Sequence, residues 1–152
     1  MQFDDRETTM NQLTTRQNIL REFLDRVWSS GEIELCDRFL ADSYTIFHDP
    51  GDPWDGRTLD LAGFKERVRL SREPFPDQRF EVQNWFENDD GVAVTWLWSA
   101  THTGDFPGFP ASGKSLKMSG ATAYQFDSAN RISGHWQVTD RLGIFRQLQH
   151  AR

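Results

Sequence analysis

Residues 132–140 read ISGHWQVTD and lead directly into RLGIFRQLQ, residues 141–149. The first run alternates like a strand and the second repeats like a helix. With period two, Trp136, Val138 and Asp140 share one side and Gln137 and Thr139 the other. A carboxylate thus continues a row of apolar side chains. How that row is placed decides what the sheet encloses.

Upstream, other strands carry the same alternation. The patterns predict strands over Gln78 to Glu87, Val92 to Thr103, Leu116 to Phe126 and Ile132 to Asp140. NDDG (88–91) supplies an Asp-Gly hairpin turn and DSANR (127–131) a second turn. SYTIFHDP (43–50) reads as a further strand that Pro50 stops. Even-numbered Tyr44, Ile46, Val92, Val94, Trp96, Trp98, Leu116, Met118, Tyr124, Phe126, Ile132, Trp136 and Val138 should then face one side. A single bulge would flip part of that row.

Helices precede the sheet. Ile19, Leu20, Phe23, Leu24, Val27 and Trp28 recur at helical spacing from Thr15, and Gly31 closes the run. A short helix is expected over Glu32 to Leu40 and a third over Leu59 to Ser71. Helices followed by an antiparallel meander define an α+β fold, with the helices on one face of a curved sheet. The 152 residues suit one domain, here 15–150, preceded by a flexible segment, 1–14.

Composition narrows the partners. Hydrophobic residues make up 37% and aromatic residues 13% of the chain, including six Trp and twelve Phe. Large rings in a polar chain suit an aromatic-lined cavity. The net charge of −6, with both signs interspersed, argues against a nucleic-acid surface. The single cysteine, Cys36, excludes an intrachain disulfide and a CxxC site. The N-terminal MQFDDRETTMNQL has no apolar run of a signal peptide, and no segment is apolar enough to span a bilayer. A cytoplasmic protein is expected.

Extending the even rows brings up His48, His102 and Asp140 at strand ends. Polar groups converging on an apolar concavity form a small-molecule site, and desolvation there would raise a carboxyl toward the pKa of a general base. A second role is open to Asp140: capping the following helix, or pairing with Arg141. His102 is equally able to bond a carbonyl at the sheet edge, and His48 to belong to a His-Asp-Pro turn. His135 has odd parity and reads as structural. No pair of these groups has the spacing of zinc ligands. GFPASGKS (108–115) matches the phosphate-loop pattern, but a strand follows it and Pro110 lacks an amide, so it is refused.

TIFHDP (45–50), the run PFPDQRF through THTGDFPGFPASGKSLKMSG (74–120) and ISGHWQVTDRLGIFRQL (132–148) together resemble the SnoaL-like polyketide cyclases of the NTF2-like superfamily. The resemblance implies a cone of curved antiparallel sheet and N-terminal helices around an apolar pocket. It implies a homodimer, and ring closure of an aromatic polyketide-like substrate by intramolecular aldol addition without metal or cofactor. By the same resemblance Asp140 is the acid/base and the family's T-H-T-G histidine falls on His102. In the aldol mechanism that follows, His102 would hydrogen-bond a developing oxygen and Trp96, Trp98, Phe106, Met118 and Trp136 would hold the rings, with His48, from the even row, a further candidate for the pocket. One departure stands out: where members of that family commonly carry Glu two residues before the Trp, this chain has Gly134. Rival functions for the same cone are isomerisation of an enone, hydrolysis of an epoxide, or binding of an apolar ligand without chemistry.

Overall fold

The computed structural model describes residues 12–149. Most of the 1–14 segment, residues 1–11, and also His150 lie outside the described residues. Helix α1 (Thr15–Phe23) begins at a capping box: Thr14 Oγ1 accepts from Gln17 N–H while the Gln17 side chain accepts from Thr14 N–H. It runs on as a π-helical segment, Leu24–Ser29, and breaks at Gly31, whose φ is +76°. A 3₁₀ turn (Ile33–Leu35) and the short α2 (Cys36–Phe39) replace the helix expected over Glu32 to Leu40.

Strand β1 (Leu40–His48) is followed by β2 (Thr58–Asp60) and helix α3 (Leu61–Arg72), which Asp60 caps through Gly63 N–H. Strands β3 (Arg79–Glu87), β4 (Gly91–Thr101), β5 (Ser115–Phe126) and β6 (Ile132–Thr139) then form the meander. Helix α4 (Arg141–Gln149) closes the described chain. The sheet order is β2-β1-β6-β5-β4-β3. It is mixed rather than purely antiparallel, because β1 runs parallel to β6. No described helix is long and apolar enough to cross a membrane.

Rings and aliphatics fill the space between helices and sheet. Leu20, Phe23 and Val27 of the first helix, Phe64 and Val68 of α3, and Tyr44, Ile46, Val92, Val94 and Leu116 of the sheet are buried. Phe64 packs edge-on against Tyr44 with centroids 4.7 Å apart, which ties α3 to β1. Arg72 donates to the Trp28, Ser29 and Pro76 carbonyls. It thereby satisfies the open end of the π-helical segment.

Two bulges determine which side chains enter the concavity. On β6, Ile132 pairs with Phe126 and Gly134 with Gln125, so Ser133 is an extra residue. On β1, Ile46 pairs with His135 and His48 with Trp136, leaving Phe47 extra. Each inserted residue reverses the alternation beyond it. His135 is therefore buried where odd parity pointed outward, and Trp136 is 49% exposed. Asp49, just past the second bulge, turns inward and is fully buried. Gly134 is required here, since a Cβ would stand 2.5 Å from the Thr45 carbonyl oxygen.

Candidate functional site

The concavity holds a cavity of about 320 Å³, inside the roughly 300–1,000 Å³ range of small-molecule sites. Its apolar wall includes Leu24 and Trp28 from the first helix, Phe75, Phe80, Trp96, Trp98, Met118 and Ile144. Phe106, from the loop between β4 and β5, and Phe145, from α4, complete that side. Their rings lie 6.3 Å apart, and Phe109 packs on Phe145 at 5.8 Å.

The polar part of the lining is Tyr44, Asp52, Arg67, His135, Gln137, Thr139 and Arg141. Behind it lies the Asp49 carboxylate, 0% exposed, which accepts from four side chains. Its Oδ2 receives His135 Nε2 at 2.9 Å, Gln137 Nε2 at 3.1 Å and Arg67 Nη2 at 3.3 Å. Its Oδ1 receives Arg141 Nη2 at 3.1 Å and Gln137 Nε2 at 3.2 Å. Arg67 is itself only 4% exposed and shares Nη2 with Asp52 at 3.2 Å. The Tyr44 hydroxyl stands 2.6 Å from His135 Nδ1.

Electrostatics assign the protons. Burial raises the Asp49 carboxyl, but the His135 hydrogen bond and the charges of Arg141 and Arg67 outweigh it, and its pKa falls below the ordinary 3.8. Burial pushes His135 below its ordinary 6.5, against the pull of Asp49. The pair is thus an ionised carboxylate beside a neutral imidazole. Burial also raises the Tyr44 phenol well above its ordinary value, so it keeps its proton. Two aspartates and two arginines balance, leaving the polar wall neutral.

Trp96, Trp98, Phe106 and Met118 lie on the cavity wall. The remaining residues selected from the sequence do not. Asp140 is exposed and bonds Gly143 N–H at 2.9 Å through Oδ1. It caps α4 from the outer face, beside Leu97, Ser99 and Lys117. The bulge at Ser133 is the reason: it turns Trp136, Val138 and Asp140 away from the cavity together. Arg141, considered as a partner for Asp140, pairs with Asp49 instead. Trp136 stacks on His48 outside the cone, centroids 4.3 Å apart and rings 9° from parallel.

His102 is fully buried behind the wall, with Nδ1 at 2.8 Å from Ser112 Oγ and its ring 5.7 Å from that of Phe75. It anchors the loop that carries Phe106, accepting from Ser112 and Gly113 N–H on its carbonyl. After that loop comes a strand, β5, as the refusal of a phosphate loop at 108–115 requires. Asp49, Tyr44, His135, Arg67, Gln137 and Arg141 escaped the sequence reading as site residues. An isolated glycine within a strand pattern, Gly134, was the signal for a bulge.

A curved six-stranded sheet backed by N-terminal helices, with an aromatic cavity at its centre, places the protein in the NTF2-like class. Within that class the chain belongs to the SnoaL-like polyketide cyclase family, which matches residues 18–148. It is similar to a candidate polyketide cyclase from Acidithiobacillus ferrooxidans, at 55% identity and a TM-score of 0.88, over 91% of this chain and 97% of that one. IdmH, a candidate polyketide cyclase of Streptomyces antibioticus, shares the fold at 23% identity and a TM-score of 0.73, over 89% and 99% of the two chains. A SnoaL-like protein from Jannaschia does so at 16% identity and a TM-score of 0.76, over 92% and 98%. No curated protein matches the chain.

Proposed function

We propose that the protein is a cytoplasmic acid/base catalyst that closes a ring in an apolar, aromatic or polyketide-like molecule by intramolecular aldol addition. The observation that carries this reading is the Tyr44–His135–Asp49 chain behind an aromatic cavity. The acid/base work that the resemblance assigns to Asp140 passes to this chain, because Asp140 faces away from the cavity.

A C–H flanked by two carbonyls gives up its proton to the Tyr44 oxygen while the Tyr44 hydrogen moves to His135 Nδ1. The imidazolium so formed is stabilised by the Asp49 carboxylate. The resulting enolate attacks a carbonyl carbon of the same molecule, forming the new C–C bond and an alkoxide. Arg67 and Arg141 supply positive charge as it develops. Return of the proton along the same path gives the hydroxyl and restores the site. Protons and electrons balance within substrate and protein, so no cofactor is needed. Trp96, Trp98, Phe106 and Met118 hold the rings and exclude water.

We also infer a homodimer formed by the outer face of the sheet. Phe47, Phe86 and Trp136 are exposed there and line one shallow depression, with Val138 on the same row as Trp136.

The test is turnover of aromatic β-dicarbonyl compounds, with products weighed. Ring closure leaves the mass unchanged and removes a carbonyl, whereas epoxide hydrolysis adds one water and enone isomerisation keeps every carbonyl. His135→Phe should abolish ring closure and Asp140→Asn should retain it. The opposite pattern refutes the relay, and tight binding with no turnover supports a ligand-binding protein.

A further inference from the structure

The hydrogen bonds behind the polar wall have a direction that follows atom by atom. An indole N–H can only donate, and Trp96 Nε1 lies 2.9 Å from Thr122 Oγ1. The Thr122 oxygen accepts there, and its hydrogen goes on to Gln137 Oε1 at 2.6 Å. This bond, together with the contacts to the Asp49 carboxylate that only an NH₂ can make, places the amide oxygen of Gln137 on the Thr122 side. Its NH₂ is then turned onto both Asp49 oxygens. A carboxylate so supplied can only accept from His135, which therefore carries its proton on Nε2. Nδ1 is left to accept the Tyr44 hydrogen, and the Tyr44 oxygen has only lone pairs to offer.

We propose that Thr122 is a positioning residue: held by Trp96, it orients Gln137 and thereby sets the direction of the protons along Asp49, His135 and Tyr44. The inference rests on the proton relay described above. Thr122 is 1% exposed and is not part of the cavity lining, so its hydroxyl acts on the site through Gln137. The side chains around the pair are accounted for. Arg67 faces Asp49 from α3 and Arg141 from α4, while in the loop after β1 Asp52 pairs with Arg67 and Asp55 accepts from the Asp49 N–H. Tyr124 of β5 lies on the same side, and burial keeps its phenol protonated. None of these can take over the orientation of the Gln137 amide, because none donates to Gln137 Oε1.

The experiment is NMR on the whole protein, following the His135 ring nitrogens and the Asp49 carboxyl carbon against pH. In the wild type the proton should reside on His135 Nε2. In Thr122→Val, Gln137 is released, the carboxylate loses a donor, and the Asp49 midpoint should rise by about one pH unit. Thr122→Ser keeps the hydroxyl and should keep the wild-type midpoint. An unshifted midpoint in Thr122→Val, or an equal shift in Thr122→Ser, overturns the proposal. Should Thr122→Val fail to fold, Trp96→Phe frees the hydroxyl to turn, and the midpoint should move upward by a smaller amount; no movement overturns the proposal. Full ring-closing turnover in His135→Phe would sink the relay itself. An unshifted Thr122→Val beside an inactive His135→Phe would remove only the role of Thr122.

Discussion

Asp49→Asn tests the polar wall with the smallest change of shape. The carboxylate accepts from His135, Gln137, Arg67 and Arg141. An amide offers one acceptor and one donor group to the same neighbours. If its nitrogen takes the Oδ2 position, it faces His135 and Arg67. His135 can adapt by accepting at Nε2 and moving its proton to Nδ1, which reverses the bond to Tyr44 and points the phenol hydrogen elsewhere. Arg67, 5% exposed in its side chain, is then left with Asp52 as its counter-ion. Removing one partner of a buried ion pair costs about 3–5 kcal/mol. At ~2–4 °C per kcal/mol for a domain of this size, Tm should fall by roughly 6–20 °C. A triad histidine held in the wrong tautomer loses on the order of 10⁴-fold in rate, and a loss of that order is expected in turnover. Calorimetry, the His135 ring nitrogen spectrum and single-turnover assays would each report. Asp140→Asn is the matched control, because Asn caps a helix about as well as Asp. If Asp49→Asn melts within about 2 °C of the wild type and His135 keeps its proton on Nε2, the reasoning is refuted.

Three further outcomes are expected. Acid should destabilise the fold in two stages. His135 is held below its ordinary 6.5, so below that pH the unfolded chain binds a proton that the folded one refuses, and stability falls until the lowered folded pKa is passed. Asp49, held below 3.8, adds a second loss as pH drops through its own folded value. Urea midpoints at several pH values would show both, and His135→Phe should erase the first. Trp136→Arg should convert the proposed dimer to monomer in sedimentation without lowering turnover per chain, since Trp136 lies outside the cavity. Gly120→Ala should shift Trp96, whose indole ring occupies the space a Cβ would need. Ligand affinity should fall at least tenfold, about 1.4 kcal/mol, with Trp96 fluorescence altered.

The first helix, α3, α4 and the hairpins were legible in the sequence because their signals are local. Asp-Gly at 90–91 marks the β3–β4 turn, and RLGIFRQLQ coincides with α4. Strand β2 was not legible, since three residues carry no period. Nor was the parallel pairing of β1 with β6, a choice made between segments some ninety residues apart, to which local alternation is blind.

The site shows how far a small local irregularity reaches. Parity along β6 is correct at Ile132 and inverted from His135 onward, because Ser133 was counted as an ordinary strand residue. That one residue exchanges His135 for Trp136 on the inner face and sends Asp140 to a helix cap. The matching insertion at Phe47 does the same on β1, bringing Asp49 inward and His48 out against Trp136. The two bulges act as a pair. Strands β1 and β6 are hydrogen-bonded neighbours, and only when both shift do Asp49 and His135 meet at 2.9 Å. Gly134 makes this possible, since any side chain there would collide with the Thr45 backbone. Gly134 therefore allows the register that brings the carboxylate and the imidazole together. Replacing Gly134 should cost the site its geometry before it costs the fold its stability. In Gly134→Ala, His135 should lose its bond to Asp49 and titrate at a changed pH. An unchanged His135 titration in that variant would show that the register does not depend on the glycine.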